Sequence, residues 1–181
     1  MNTELELNGY TANITIHQDT DHGAPWEEND GHGIVSEWTS RDKAPGELVL
    51  CSDRSSNRFY DFEGTMKLAK KDGWGIGAEK LAQLEKNLGR KATKGEIIRA
   101  AVMCDFNYLR GWANNDWAWQ GYTTEIETPD GKTIDGDSCW GFDGTPEGGK
   151  YMVEQALDIA KSQIERMILT AEQTEIAACY P

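Results

Sequence analysis

Apolar and polar residues alternate strictly over residues 9–17, GYTANITIH, which places Tyr10, Ala12, Ile14 and Ile16 on one face of a half-buried strand. A polar loop follows from Gln18 to about His32. Gly33 to Thr39 and Glu47 to Cys51 read as two further strands, separated by SRDKAPG, whose Pro45-Gly46 marks a turn. The period then changes. Asp61 is positioned to cap a helix running to about Lys71, with Phe62, Met66 and Ala69 on one side, and Asp72-Gly73 stops it. Ala78 to Leu88 spaces Leu81, Leu84 and Leu88 along one helical face and ends at Gly89. Thr93 and Glu96 form a capping box ahead of a helix through about Trp112, with Ile97, Ile98, Ala101, Val102 and Leu109 facing inward.

Strand patterning returns at Thr123 to Thr128 and Lys132 to Trp140, which flank Pro129-Asp130-Gly131, a composition suited to a hairpin loop. From Pro146 the sequence Val153, Leu157, Ala160, Ile164, Met167 or Ile168, and Ala171 advances in steps of three and four. It predicts a long amphipathic helix whose apolar stripe covers the sheet. The order of elements predicts an α+β fold: a small antiparallel sheet, made of N-terminal strands and the C-terminal hairpin, packed against about four helices. No repeat, low-complexity tract or linker interrupts the chain. One domain is therefore expected, with a β-rich acidic zone (1–60), a helical zone (61–114), a hairpin (115–144) and a long helix (145–176).

At 181 residues the chain is long enough to bury roughly two-thirds of its unfolded surface without disulfides or structural metal. No apolar run approaches the roughly 20 residues that a membrane-spanning helix needs. The first twenty residues lack the basic start and apolar core of a secretory signal, so a cytoplasmic protein without a membrane partner is expected. Cys51, Cys104, Cys139 and Cys179 form no CxxC or CxxH pair and read as ordinary reduced thiols.

Charge changes the picture more. The net charge is −13, yet residues 61–110 hold 10 Lys/Arg against 7 Asp/Glu, while the flanks hold 8 against 24. Such a chain is a poor candidate for gripping phosphate backbones, because that binding replaces counterions with Lys and Arg. The acidity suits a basic protein surface as partner, while simple solubility is its ordinary account.

Three segments are candidates for chemistry. Residues 19–32 contain five carboxylates and two imidazoles. They do not fit a calcium-binding EF-hand loop, because Gly23 and Ala24 stand where an oxygen ligand and a glycine belong. A looser divalent site would use Asp19, Asp21 and Asp30, or His22 and His32; a solvated loop whose Asp and Asn side chains cap its own backbone is the ordinary account. The seven tryptophans are numerous for this length, and most are expected in the core. Trp26, between Pro25 and Glu27-Glu28, is the candidate exposed contact residue. Trp117 and Trp119 are expected to share one strand face. The third segment is Asp137-Ser138-Cys139-Trp140-Gly141-Phe142. Cys139 beside Ser and Asp invites a nucleophile reading, but every histidine lies far away in sequence, and a buried small hydrophobe is the ordinary account. No residue is assigned a catalytic role, and no phosphate-binding glycine motif is present.

Together, the early loop with Asp21, Pro25, Trp26, Glu27 and Asn29-Asp30-Gly31 and the late segment Asp137 to Gly144 resemble a group of small proteins encoded by bacteriophages and other mobile elements. Members pair an early D-x-x-x-x-P-W/R-E-x-D/N-x-x-G loop with a late E/D-D-S-C-W-G-F-x-G segment. The similarity covers mainly residues 10–40 and 120–144. It implies an intracellular phage product without an assigned reaction, acting in the host cytoplasm.

Two functions are carried forward. The first is a phage accessory protein without a cofactor that binds and modulates a host or defence-system protein, presenting carboxylates where a nucleic acid presents phosphates. Its contact residues would be Trp26, Glu27, Glu28, Asp30, Asp137 and Trp140. The second is a divalent-metal-dependent hydrolase of nucleotides or nucleic acid, with Asp19, Asp21 and Asp30 as ligands and His22 or His32 as ligand or general base.

Overall fold

The alternation over residues 10–18 is realised as a strand, and the computed structural model, which describes residues 2–53 and 56–179, assembles seven strands and five helices among them. In chain order these are β1 (Asn2–Leu7), β2 (Tyr10–Gln18), α1 (Pro25–Glu28), β3 (Val35–Trp38), β4 (Glu47–Ser52), β5 (Asn57–Asp61), α2 (Phe62–Asp72), α3 (Ala78–Leu88), α4 (Lys94–Ala113), β6 (Trp119–Glu127), β7 (Thr133–Asp143) and α5 (Pro146–Cys179). The fold is α+β. As the sequence predicts, the N-terminal strands pair with the C-terminal hairpin and a long helix closes the chain; a second sheet of three strands accompanies them. Contacts divide the chain into two compact units, Met1–His22 with Trp117–Pro181, and Gly23–Asp116.

The first unit is an antiparallel sheet ordered β1-β2-β6-β7 with α5 packed on it. β1 and β2 are joined through Asn8 and Gly9, both at positive φ (51° and 81°), the combination that a two-residue hairpin turn requires. The register sets the faces. Leu5 lies opposite Ala12, Ala12 opposite Ile126 and Ile16 opposite Tyr122, so the apolar set of each strand meets its neighbour's on the side that α5 covers. Met152, Ala156, Ala160 and Ile164 form the buried stripe of α5 at four-residue steps, as the helical period dictates.

One group in this core is misfit. Tyr122 is wholly buried, yet its hydroxyl has no hydrogen-bond partner among the described residues. Burial, and then the nearby Cys139 and Asp137, push this phenol above its ordinary pKa. A buried hydroxyl left unpaired costs about 1–3 kcal/mol. Tyr122→Phe is therefore expected to raise stability by about 1 kcal/mol, read as a higher urea midpoint at unchanged slope. A lower midpoint would mean that the hydroxyl has a partner after all.

The second unit packs the sheet β3-β5-β4 against α2 and α4, with α1 against α4. Leu50, Tyr60, Ala69, Ile98, Val102, Phe106 and Leu109 form its core. Both predicted caps are present. The Asp61 side chain accepts from the Gly64 N–H at 2.8 Å, and Thr93 and Glu96 complete a reciprocal capping box. Arg90 and the Thr93 cap bonds hold the Glu96 carboxyl down to about 2. α2 and α3 end on Gly73 and Gly89 in the left-handed conformation, where a side chain is disfavoured. None of the residues of α3 is buried; Leu81 and Leu84 are half-covered and Leu88 is exposed.

Candidate functional site

Because α5, the first unit's one helix among the described residues, takes one face of its sheet, the other face is left with polar side chains. That outer face is ordered in rows. Glu6, Thr11, Glu127 and Thr133 form one row; Glu4, Asn13, Glu125 and Asp135 form the next. All five carboxylates are exposed. Alternate residues on a strand are about 7 Å apart and neighbouring strands about 5 Å, so the acids form a grid at that spacing. Glu125 stands directly opposite Asp135, a like-charge pairing that weakens a sheet. The four strands contain seven Asp/Glu and no Lys or Arg. The first unit as a whole holds 16 Asp/Glu against 4 Lys/Arg, a net −12, whereas the second holds 15 against 14, a net −1.

The same face ends in aromatics. His17 lies opposite Gly121, its Nε2 is hydrogen-bonded to Thr123 Oγ1 at 2.9 Å, and its ring is 5.7 Å from that of Trp140. The Trp140 indole lies over Gly121: a Cβ there would come 2.6 Å from its Cδ2, so only glycine leaves the ring this seat. Trp140 is nonetheless 47% exposed.

Beside it the chain leaves β2. Asp19 N–H donates to the Trp119 carbonyl at 2.8 Å, which ties the start of the acidic loop to β6. The His22 ring packs 4.5 Å from that of Trp119, and a Cβ on Gly141 would sit 3.1 Å from His22 Cε1. Gln18, Asp19, Thr20, Asp21, His22 and Trp140 thus surround a hollow of about 440 Å³. The start of the acidic loop, Asp19–His22, and residues Trp140 and Gly141 of the late segment, more than a hundred residues apart in sequence, meet here.

The predicted site residues therefore belong to two different units. Asp19, Asp21, His22 and Trp140 converge in the first unit. Asp137 is exposed on β7, and its carbonyl accepts the Thr124 hydroxyl at 2.9 Å. Trp26, Glu27, Glu28, Asp30 and His32 belong to the second unit. Trp26 lies in α1, half-buried against the core, with its ring edge-on to Trp112 at 5.3 Å; Glu27, Glu28 and Asp30 are exposed. Among the described residues no three His, Cys, Asp or Glu side chains are grouped to hold a metal ion.

Cys139 corrects the sequence reading, for it is exposed rather than buried. β7 is an edge strand, so Cys139, although opposite the buried Tyr122, lies at the open margin of the sheet and stays exposed. Trp117 precedes β6, which Trp119 opens, and the two buried rings meet edge-on at 5.1 Å. Cys51 and Cys104 are free thiols, and the Cys179 side chain lies outside the described residues.

His32 has a different occupation. Its Nδ1 donates to Asp105 Oδ1 at 2.7 Å, and Asp105 Oδ2 accepts from Gly33 N–H at 2.8 Å and from the Tyr60 hydroxyl at 2.7 Å. A carboxylate only accepts, which fixes the proton on Nδ1. Burial and then the bond to Asp105 hold the Tyr60 hydroxyl protonated far above the ordinary phenol range. The His32 ring stacks on Tyr108 at 5.5 Å. This network ties the entry of β3 to α4.

No family model, curated protein or solved structure matches the chain. No helix among the described residues is long and apolar enough to cross a membrane.

Proposed function

We propose that this protein is a phage accessory protein that binds and modulates a basic host or defence-system protein, docking it on the outer face of the four-stranded sheet. The observation that carries this reading is the grid of Glu4, Glu6, Glu125, Glu127 and Asp135 on strands that hold no Lys or Arg. Carboxylates aligned at regular spacing present to a cationic groove what a nucleic acid presents with its phosphates. The Glu125–Asp135 opposition supports the same reading, since a pairing that weakens the free sheet is relieved by a cation laid across it. The resemblance of the early loop and late segment to phage-encoded proteins supplies the setting and the host cytoplasm as the place of action.

The test is a calorimetric titration with an arginine- and lysine-rich peptide of about 20 residues, at two salt concentrations. Wild type is expected to bind at low salt and to lose affinity by roughly tenfold or more as salt rises, as paired charges are screened. The triple variant Glu4→Lys, Glu125→Lys, Glu127→Lys is expected to lose most of the affinity. A control reversing the same number of exposed charges on α5, at Glu154, Asp158 and Glu165, is expected to retain most of it. Equal losses in the two variants would show that only net charge matters and would remove the docking face.

A further inference from the structure

Within the docking reading just given, we infer that the hollow at the end of the outer face is a receptor for one arginine side chain of the partner. The Asp19 side chain is only 9% exposed. Its Oδ1 accepts from the Asp21 N–H at 3.2 Å, but Oδ2 lies 3.8 Å from His22 Nδ1 and accepts no hydrogen bond among the described residues. Asp19 lines the hollow, and a donor brought in from outside would meet this oxygen. The donor has to fit a hollow of about 440 Å³ with an indole in its wall and Asp21 at its rim.

A guanidinium meets each condition. It is planar and stacks on an aromatic ring, and its parallel N–H groups match the two oxygens of a carboxylate. An ammonium lacks the flat face, and a metal ion makes no use of the indole. The chain already builds this arrangement internally. In the second unit the Arg41 guanidinium lies 4.5 Å from the Trp38 ring centroid and donates two hydrogen bonds, at 2.8 and 3.0 Å, to the Glu47 carboxylate. Trp140 and Asp19 repeat the indole and the carboxylate without the arginine. The five exposed carboxylates lie further along the same face, in the direction from which a basic partner would be drawn in.

The experiment is a nuclear magnetic resonance titration of the full chain, following the Trp140 indole N–H and the His22 ring. The probes are the N-acetyl amides of arginine, lysine and citrulline, the last an uncharged analogue of arginine, and magnesium chloride. The arginine probe is expected to shift both signals saturably with a Kd on the order of 1 mM, the lysine probe about threefold more weakly and citrulline at least about tenfold more weakly. Asp19→Asn, which keeps the shape, and Trp140→Ala, read at His22, are each expected to weaken arginine binding by about tenfold. The triple Lys variant of the outer face, which leaves the hollow intact, is expected to keep arginine binding within about threefold.

Absence of a shift with arginine, equal binding of citrulline, or retention in both Asp19→Asn and Trp140→Ala would each overturn the receptor. So would a saturable magnesium response in place of the arginine one. The docking face fails separately: if the hollow binds arginine while the triple variant still binds the basic peptide as wild type does, the receptor stands and the face reading falls. If the triple variant loses the peptide while the hollow ignores arginine, the reverse holds.

Discussion

Asp105→Ala is expected to destabilise the protein by about 3–5 kcal/mol, the largest effect of any single exchange argued from this structure. The reason is arithmetic over one carboxylate. Asp105 accepts from three donors: the Gly33 N–H, the Tyr60 hydroxyl and His32 Nδ1. Tyr60 is completely buried and Gly33 is buried beside it, so water cannot replace the lost acceptor. The alternative for Tyr60 is the Val102 carbonyl at 3.4 Å, a weak bond at the limit of useful distance. Each orphaned donor costs about 1–3 kcal/mol, and total stability is only about 5–15 kcal/mol. The thermal midpoint should fall by roughly 10 °C. Asp105→Asn, which keeps one acceptor oxygen and turns an amide toward a donor, should fall between wild type and alanine. Urea denaturation of the three proteins measures the series; a cost below 1 kcal/mol for alanine would show that the network is incidental to stability.

That network was invisible in the sequence for a definite reason. Asp105 sits in α4 among residues whose helical spacing is fully explained by packing, and its partners lie 45 and more residues away. Local signals, by contrast, were legible. The Asp61 cap, the Thr93–Glu96 box and the glycine stops at 73 and 89 act within a turn of the helix that they bound, and all are where the sequence puts them. β2 and the pairing of the two halves of the C-terminal hairpin were legible because alternation and turn chemistry are local too. β1 and β5 were not. β1 offers only Leu5 and Leu7 as apolar positions, and β5, NRFYD, sets two aromatics side by side instead of alternating them.

The candidate site divides along the same line. Trp26 looked exposed because its neighbours are charged, but α1 turns the indole toward Trp112 while Glu27 and Glu28 face outward. Trp140, one of the contact residues named from the sequence, is the exposed ring, seated over Gly121 from the edge strand β7. The meeting of the Asp19–His22 loop with Trp140 follows from strand order alone. Gln18 pairs with Gln120, and Gln120 with Phe142, so whatever follows β2 must emerge beside residues 140–142. The alternation of glutamate with apolar residues over TELEL and TTEIE was the available signal for the acidic face; it becomes a surface only once β2 and β6 are known to be neighbours.

The outer face and its aromatic end should also separate kinetically, and this is the second large effect. Exposed carboxylates act at a distance and fall off over a Debye length of about 10 Å, so they accelerate encounter more than they hold a docked partner. An exposed indole beside a carboxylate in a hollow acts only in contact, so it slows departure. For a basic peptide containing arginine, Glu4→Lys, Glu125→Lys, Glu127→Lys is expected to reduce the association rate by about 10–100-fold at low salt, with the difference shrinking as salt rises. Trp140→Ala is expected to leave that rate within about threefold and to raise the dissociation rate by about tenfold, independently of salt. Biolayer interferometry at two ionic strengths distinguishes the two. If Trp140→Ala changed only association, or the charge variant only dissociation, the face and the hollow would not be the steering and anchoring parts of one docking surface.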